Sequence, residues 1–261
     1  MCYLFISISK LSISKLKVYA FLATVLVSTG FLGKKSEVVN LINPKIKLRL
    51  NAKSLTLRLG CFGTLFCNEP IVCGGYYRNS TVFEDCLVFE DCLVFGETNL
   101  QMKMLQKRAS AALVILRQNK LWIVGGWNGS GDLDTTEFLT LNNASEEGPK
   151  LPFKISSHCM LNYNENSILI IGGVQNGSRS KKTWILDPTN EFNIKEGPSL
   201  NVERHQHSCA KFQINGKPFI LVIGGRDGCD SVLDTVEFLD LSLLGQQNWI
   251  MGKRVNVHLV P

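Results

Sequence analysis

One short phrase recurs along this chain: a run of apolar residues that ends in two adjacent glycines. The clearest copy covers residues 220–225, and three earlier copies end at residues 75, 126 and 173. The glycines are Gly74, Gly75, Gly125, Gly126, Gly172, Gly173, Gly224 and Gly225. The first glycines of the pairs are 51, 47 and 52 residues apart, and a period of this size indicates stacked copies of one supersecondary unit. The glycines are predicted to be structural, because glycine permits tight turns and close packing.

A basic residue recurs with the same period. These markers are Arg58, Arg108, Lys154, Arg204 and Arg254. Two strand-like runs lie between each marker and the next glycine pair. In the best unit they cover residues 207–212 and 219–223, and an Asn-Gly turn at 215–218 joins them, which is typical of a β-hairpin. A third strand at 235–241 and a fourth complete a four-stranded antiparallel unit.

One small sheet cannot bury both of its faces, whereas sheets packed face to face around an axis can, as in a β-propeller. The units resemble kelch repeats in four features: the double glycine ending strand two, the Asp-Pro-Thr turn at 187–189, Trp249 in strand four, and Arg204 opening a blade. The usual tyrosine of strand three is Phe138, Trp184 or Phe238 instead. Among kelch proteins, the chain is most similar to secreted, cysteine-bearing arrays of invertebrates.

The resemblance implies an all-β, kelch-type β-propeller of four-stranded antiparallel blades, with four to five blades in this chain. Kelch proteins usually have six or seven, so the array is expected to be incomplete, and an open blade edge would favour self-association. The predicted division is 1–17 leader or disordered, 18–57 degenerate first blade or signal segment, and 58–258 kelch repeats, with units near 58–107, 108–153, 154–203 and 204–253 and a partial unit at 254–261.

The N-terminal segment has two interpretations. Lysines precede an apolar run that starts at Val18 and is followed by small residues, which is the order of a secretory signal. Alternatively, residues 24–31 are a decayed copy of the strand-plus-glycine phrase, and Glu37 matches Glu137 and Glu237 in position. The uncharged run of 16 residues is short for a membrane span, so no stable span is expected.

Composition and charge limit the partners. The chain has 261 residues, is 45% hydrophobic and carries a formal net charge of +6. Residues 1–58 hold ten basic side chains against one acidic side chain, so the rest of the chain is slightly acidic. A nucleic-acid partner would require a basic stripe interleaved with aromatic residues on the folded face. The sequence shows none, so no nucleic-acid partner is predicted.

Nine cysteines and four glycosylation sequons favour an oxidising compartment. The sequon asparagines are Asn79, Asn128, Asn143 and Asn176. The absence of a CxxC pair gives a zinc site little support. Cys159 and Cys209 each lie five residues after a marker and form a candidate disulfide between neighbouring blades, unless both are simply small buried hydrophobes. Cys73 with Cys86 or Cys92 is a second candidate, since connectivity cannot be deduced from sequence.

Six residues are duplicated in tandem, because Val-Phe-Glu-Asp-Cys-Leu occupies both 82–87 and 88–93. An even-numbered insertion keeps the inward and outward alternation of a strand. The duplication is predicted to be absorbed by a longer strand or a bulging loop.

Residues that could carry chemistry favour structural roles. His205 and His207 would face one side if they alternate on a strand, as metal ligands can, but His158 and His207 follow their markers at nearly equal distances, which predicts a repeated structural position. Two roles are open for Arg108 and Arg204. Their side chains either contact a ligand at a channel mouth or make strand-to-loop hydrogen bonds within their own units. No catalytic motif occurs, and the tyrosine and histidine set of a galactose-oxidase-like copper enzyme is missing. No catalytic residue, metal or cofactor is predicted.

The function predicted from sequence is a non-catalytic protein-interaction module. Its inter-strand loops, such as residues 226–230, would bind a protein or glycan partner in the extracellular space, because loops on a rigid scaffold commonly carry function. The alternative is a cytoplasmic kelch adaptor for ubiquitin-ligase substrate recognition or cytoskeletal binding. A galactose-oxidase-like enzyme is the second, less favoured alternative.

Overall fold

The computed structural model describes four short N-terminal strands and most of the chain from residue 60 onward. Outside those four strands, the described residues are 60–66, 69–78, 86–88, 91–94, 101–116, 120–140, 144–187, 193–243, 248–252 and 254. All regular structure in this part of the chain is β-strand.

Five sheets share one plan, in which four hydrogen-bonded antiparallel strands lie side by side. The first sheet contains β1 (Leu4–Ile6), β2 (Thr24–Val27), β3 (Glu37–Asn40) and β4 (Lys47–Arg49). The second sheet has a hairpin inserted in its sequence, so the strands in chain order are β5 (Phe62–Phe66), β6 (Glu69–Cys73), the hairpin strands β7 (Tyr76–Arg78) and β8 (Cys86–Val88), then β9 (Asp91–Val94) and β10 (Gln101–Lys103).

The third, fourth and fifth sheets repeat this plan. The third sheet contains β11 (Ala112–Ile115), β12 (Leu121–Val124), β13 (Thr136–Leu139) and β14 (Ser145–Glu147). The next strands are β15 (Ile155–Ser156), β16 (Cys159–Asn162), β17 (Ile168–Ile171), β18 (Val174–Gln175), β19 (Ser178–Arg179), β20 (Thr183–Asp187) and β21 (Asn193–Glu196). Of these, β16, β17, β20 and β21 form the fourth sheet, while β15, β18 and β19 form a small separate sheet. The fifth sheet contains β22 (Ser208–Ile214), β23 (Lys217–Ile223), β24 (Val236–Asp240) and β25 (Trp249–Met251).

The hairpin between β22 and β23 shows how local sequence sets the register. Asn215 and Gly216 have φ values of 50° and 79°, which is the backbone of a two-residue turn that asparagine and glycine tolerate. Strand β23 therefore begins at Lys217, and Pro218 pairs with Gln213. The predicted turn at 215–218 was two residues too long, because the last two residues belong to the strand.

The hydrophobic core lies between consecutive sheets. In β17, Ile168 and Ile170 pack into a cluster with the third sheet, whereas Leu169 and Ile171 pack into a cluster with the fifth sheet. A further cluster joins the second and third sheets. Alternate side chains of a strand point to opposite faces, so a strand covered on both faces is apolar throughout. This explains why the runs before the glycines are uniformly apolar.

The first strands of the five sheets contact one another in series. Strand β11 contacts β5 and β16, and β22 contacts both β16 and β1. The fold is thus all-β and consists of four-stranded antiparallel sheets packed in series, which confirms this part of the prediction. The segment 18–57 was predicted to be a degenerate first blade or a signal segment. The first strand of the first sheet, Leu4–Ile6, lies upstream of that segment.

The tandem duplication is divided between two structures. The second copy supplies the first three residues of β9, whereas the first copy contributes Cys86 and Leu87 to the hairpin strand β8. Strand β8 pairs with β7 in a two-stranded sheet of its own. The extra residues therefore form a separate hairpin and do not lengthen a strand of the four-stranded sheet.

Candidate functional site

The glycine pairs lie where each unit is hydrogen-bonded to the next. All eight glycines have positive φ values, between 55° and 99°. At Gly173 a Cβ atom would lie 2.6 Å from the Ser156 carbonyl oxygen, so no other residue fits without a shift. The N–H of Gly173 donates to the Arg204 carbonyl at 2.8 Å, and the Gly75 N–H donates to the Arg108 carbonyl at 2.9 Å. These glycines position backbone and do not form a ligand-binding loop.

Arg108 is enclosed within its own sheet. Its side chain is 2% exposed, and its Nε donates to Glu137 at 2.5 Å. The guanidinium also donates to the carbonyls of Gly125 and Thr135, and the second carboxylate oxygen of Glu137 accepts the Leu105 N–H. Burial lowers the pKa of Arg108, and the neighbouring carboxylate opposes this shift. The arginine connects the end of strand two to strand three.

Arg204 repeats this arrangement in the fifth sheet. The side chains of Arg204 and Glu237 are both 0% exposed and lie 2.8 Å apart. Arg204 donates to the Gly224 carbonyl at 2.7 Å, while Glu237 accepts the N–H groups of Asn201 and Val202. Of the two roles that the sequence left open for Arg108 and Arg204, the structure places both in strand-to-loop hydrogen bonds. The sequence revealed the matching glutamates but not that they pair with the arginines.

The remaining markers lie in different environments. Lys154 is exposed, and the carbonyl that accepts the Gly126 N–H belongs to Ile155, which is fully buried. The structure therefore assigns Ile155, not Lys154, to the position of Arg108 and Arg204. Arg254 is 79% exposed and lies 3.5 Å from the Asp234 carboxylate. Arg58 lies outside the described residues.

The fourth sheet has apolar residues at the two positions that the ion pair occupies in the third and fifth sheets. Trp184 lies opposite Ile170 in β17, as Glu237 lies opposite Val222 in β23. Ile155 therefore takes the place of the arginine and Trp184 that of the glutamate. An apolar pair can substitute for a buried ion pair because both avoid leaving one charge alone in the interior.

His158 and His207 occupy one repeated position. They lie three residues after Ile155 and Arg204 respectively, and each side chain packs against the second glycine of its own unit. The nitrogens of both rings lack a hydrogen-bond partner at normal geometry. Burial lowers the pKa of each histidine to about 3, and Arg204 adds to the effect at His207. Both rings are therefore neutral at physiological pH.

His205 has a different environment from His207. Its Nδ1 lies 3.1 Å from the Arg226 carbonyl and its Nε2 lies 3.3 Å from the Asp230 carboxylate. Burial lowers the pKa of His205, and Arg179 adds to this shift while Asp230 opposes it. Gln206, between the two histidines, has a φ of 56°. The predicted strand alternation of His205 and His207 is therefore wrong, because β22 starts only at Ser208.

Two loops that follow glycine pairs are built alike. In the loop at 127–132, Asn128 Oδ1 accepts the N–H groups of Ser130 and Gly131. In the loop at 226–232, Asp227 Oδ1 accepts the N–H groups of Cys229 and Ser231. Both residues lie three positions after the first glycine of their pair, and this equal spacing is the signal in the sequence that the two loops are equivalent.

A charged bridge joins the small sheet of β15, β18 and β19 to the second of these loops. The Asp230 carboxylate lies 3.9 Å from Arg179 in β19 and 3.6 Å from Arg226. Arg226 also donates to the Asp230 carbonyl at 2.6 Å. The side chain of Asp230 is 56% exposed and that of Arg226 is 24% exposed, so the loop presents mainly a carboxylate to solvent.

Two disulfides are present among the described residues. Cys159 in β16 is bonded to Cys209 in β22, which links the first strands of neighbouring sheets. Cys73 is bonded to Cys92, its cross-strand neighbour in the second sheet. Both pairings are among the candidates named from sequence. Closing a loop of this length between Cys159 and Cys209 stabilises a fold by about 4 kcal/mol in the chain-entropy model.

Two further properties of the described residues concern metal ions and membranes. Among the described residues, no group of three or more His, Cys, Asp or Glu side chains is placed to hold a metal ion. In the same part of the chain, no helix is long and apolar enough to cross a membrane. The sequon residues Asn79 and Asn143 lie outside the described residues.

The fold and these contacts define an all-β protein of repeated four-stranded sheets held together by structural glycines and buried ion pairs. No family model matches the chain. The chain is similar to the spermatocyte protein spe-26 of Caenorhabditis elegans, with 33% identity over 76 residues. This match covers 29% of the present chain and 13% of the length of spe-26.

Proposed function

We propose that this chain is a non-catalytic, kelch-type propeller module that acts outside the cell and binds a protein or glycan partner through its inter-strand loops. The observation that carries this proposal is that the repeated residues of each unit make internal contacts, whereas a loop residue is exposed. The double glycines, Arg108, Arg204 and their paired glutamates make internal contacts, whereas the Asp230 side chain in the loop at 226–232 is 56% exposed. A rigid frame with solvent-facing loops is the usual arrangement of a binding scaffold.

The proposal of a propeller is supported by the order of contacts between the sheets. The first strands β5, β11, β16 and β22 touch in chain order, and β22 also touches β1. These contacts place the sheets in the series second, third, fourth, fifth and first, as neighbouring blades packed around an axis would be. The double glycines, Trp249 and Arg204 add the resemblance to kelch units described above.

The extracellular placement is supported by the disulfides. Cys73–Cys92 and Cys159–Cys209 are compatible with an oxidising compartment, because such bonds are rarely maintained in the cytosol. The sequons at Asn128 and Asn176 are consistent with this placement and make the protein a proposed glycoprotein.

A second candidate function, an intracellular kelch adaptor, is favoured by one observation. Strand β1, Leu4–Ile6, pairs with β2 and contacts β22. Cleavage of a signal segment ending near residue 33 would remove both β1 and β2. A chain that needs these strands would keep its N-terminus.

One experiment separates the two candidates. The full chain with its native N-terminus is expressed in a secreting eukaryotic cell, and medium and lysate are compared with and without glycosidase and reductant. The proposal expects the protein in the medium, with mobility shifts after both treatments. A reduced, unglycosylated protein confined to the lysate overturns the extracellular placement and supports the adaptor.

A further inference from the structure

The loops at 127–132 and 226–232 provide a comparison within one molecule. Trp127 and Arg226 each form an isolated bridge to a residue before the first strand of their sheet. The next residue, Asn128 or Asp227, accepts two backbone N–H groups with its side-chain Oδ1. In these two loops an amide oxygen and a carboxylate oxygen therefore make the same kind of contact.

The amide of Asn128 is therefore not imposed by the fold. Because Oδ1 makes the turn contacts, the Nδ2 atom that carries an N-linked glycan is not used by them. Asn128-Gly129-Ser130 is a sequon, whereas the equivalent Asp227-Gly228-Cys229 is not.

Asn176 presents a second sequon in the fourth unit. It lies with Gly177 at the exposed turn between β18 and β19. Its Oδ1 accepts the Lys154 N–H at 3.0 Å, and its φ is 48°. This contact also leaves Nδ2 unused, and a Cβ on Gly177 would meet nothing within 4 Å, so the turn has open space around it.

We infer that Asn128 and Asn176 carry N-linked glycans that cover the loops after the glycine pairs in the third and fourth units, and that the equivalent loop at 226–232 stays bare. In the modification, Asn Nδ2 loses a proton and bonds to the anomeric carbon of an oligosaccharide. The bond from that carbon to a polyisoprenoid pyrophosphate donor breaks, and the pyrophosphate lipid leaves. The inference rests on the proposed extracellular placement and narrows the binding surface to the fifth-sheet loop.

The first test measures occupancy. The full chain is delivered to the secretory pathway by an added heterologous signal sequence, and its glycopeptides are mapped by mass spectrometry. Glycans at Asn128 and Asn176 are expected, and N128D and N176D should each remove one glycan. N128D is a matched control, because Asp227 shows that a carboxylate supports a similar turn at the position of Asn128.

The second test measures coverage with a maleimide coupled to polyethylene glycol. Cys229 is exposed and reports on the fifth-sheet loop. In a second variant, G131C/C229A, the introduced thiol lies beside Asn128, where a Cβ meets nothing within 4 Å. Removing the glycans enzymatically should raise the labelling rate of the introduced thiol in that variant by about fivefold or more, since an N-linked glycan is bulky. The same treatment should leave the labelling rate of Cys229 in the parent chain unchanged.

The outcomes distinguish the inference from the proposal beneath it. Unoccupied Asn128 and Asn176 in the delivered chain, or a Cys229 rate that rises as much as the rate in G131C/C229A, overturns the inference. A native-leader chain that stays in the lysate overturns the extracellular placement instead, whatever the delivered chain shows.

Discussion

Substitution of Arg204 by leucine should destabilise the protein strongly. The change leaves the Glu237 carboxylate fully buried without its charged partner, which lies 2.8 Å away in the intact protein. It also removes the donor to the Gly224 carbonyl at 2.7 Å. Removing one member of a buried ion pair costs about 3–5 kcal/mol. Urea unfolding of the full chain, followed by tryptophan fluorescence, measures the loss as a lower midpoint.

The double variant R204L/E237L separates charge pairing from packing. The fourth sheet shows that Ile155 and Trp184 fill the same two positions without charge, so the double change should cost less than the sum of the two single changes. The loss does not vanish, because Glu237 also accepts the N–H of Asn201. R254L is the control, since the Arg254 side chain is 79% exposed. A midpoint for R204L within error of the R254L midpoint would refute the structural role assigned to Arg204.

Three further predictions concern stability. G173A should cost about 2–4 kcal/mol in urea unfolding, because its Cβ would meet a backbone carbonyl and its φ is 86°. Removing the disulfide with C159S/C209S should cost about 4 kcal/mol at most in the same assay. His158 and His207 have a pKa of about 3 when folded and near 6.5 when unfolded, so stability should be full above pH 6.5 and fall towards pH 3, by about 2 kcal/mol per histidine at pH 5.

Each of these predictions has an internal comparison. G177A is the control for G173A, because its φ of 81° is similar but its Cβ meets nothing; equal losses would contradict the proposed clash. H158A and H207A should flatten the acid limb of the stability curve, and alanine is tolerated at the equivalent position, where Ala111 packs against Gly126. A curve that stays as steep in the double alanine variant would assign the acid sensitivity elsewhere. For the disulfide, wild-type protein that loses no stability on reduction would contradict the expected effect.

Much of the fold was predictable from sequence because its determinants are local and repeated. Strands covered on both faces are uniformly apolar, and a double glycine follows the second strand of each unit at the same position. The Asn-Gly pair at 215–216 fixed a hairpin, although the strand began earlier than predicted. The hairpin from the tandem duplication was not predictable, since pairing of β7 with β8 depends on contacts beyond local propensity.

The candidate site was less accessible from sequence for two physical reasons. Sequence periodicity does not distinguish a basic residue at the buried marker position from one next to it. Lys154 therefore fits the period of the markers, although the neighbouring Ile155 is the buried residue. The positive φ of Gln206 carries no compositional signal, because left-handed conformations are rare for glutamine, and so the strand containing His205 was wrongly extended. The shared turn at Asn128 and Asp227 was visible as equal spacing, but only its hydrogen bonds identify it.

Peptide mapping of the secreted chain under non-reducing conditions tests three properties at once: the compartment in which the protein is found, its disulfide bonds and whether its N-terminal residues are retained. The chain is expressed with its native N-terminus and collected from the medium. The extracellular module predicts a Cys159–Cys209 linked peptide in the protein from the medium. Protein confined to the lysate with both thiols reduced and Leu4–Ile6 retained would contradict that placement and favour the intracellular adaptor.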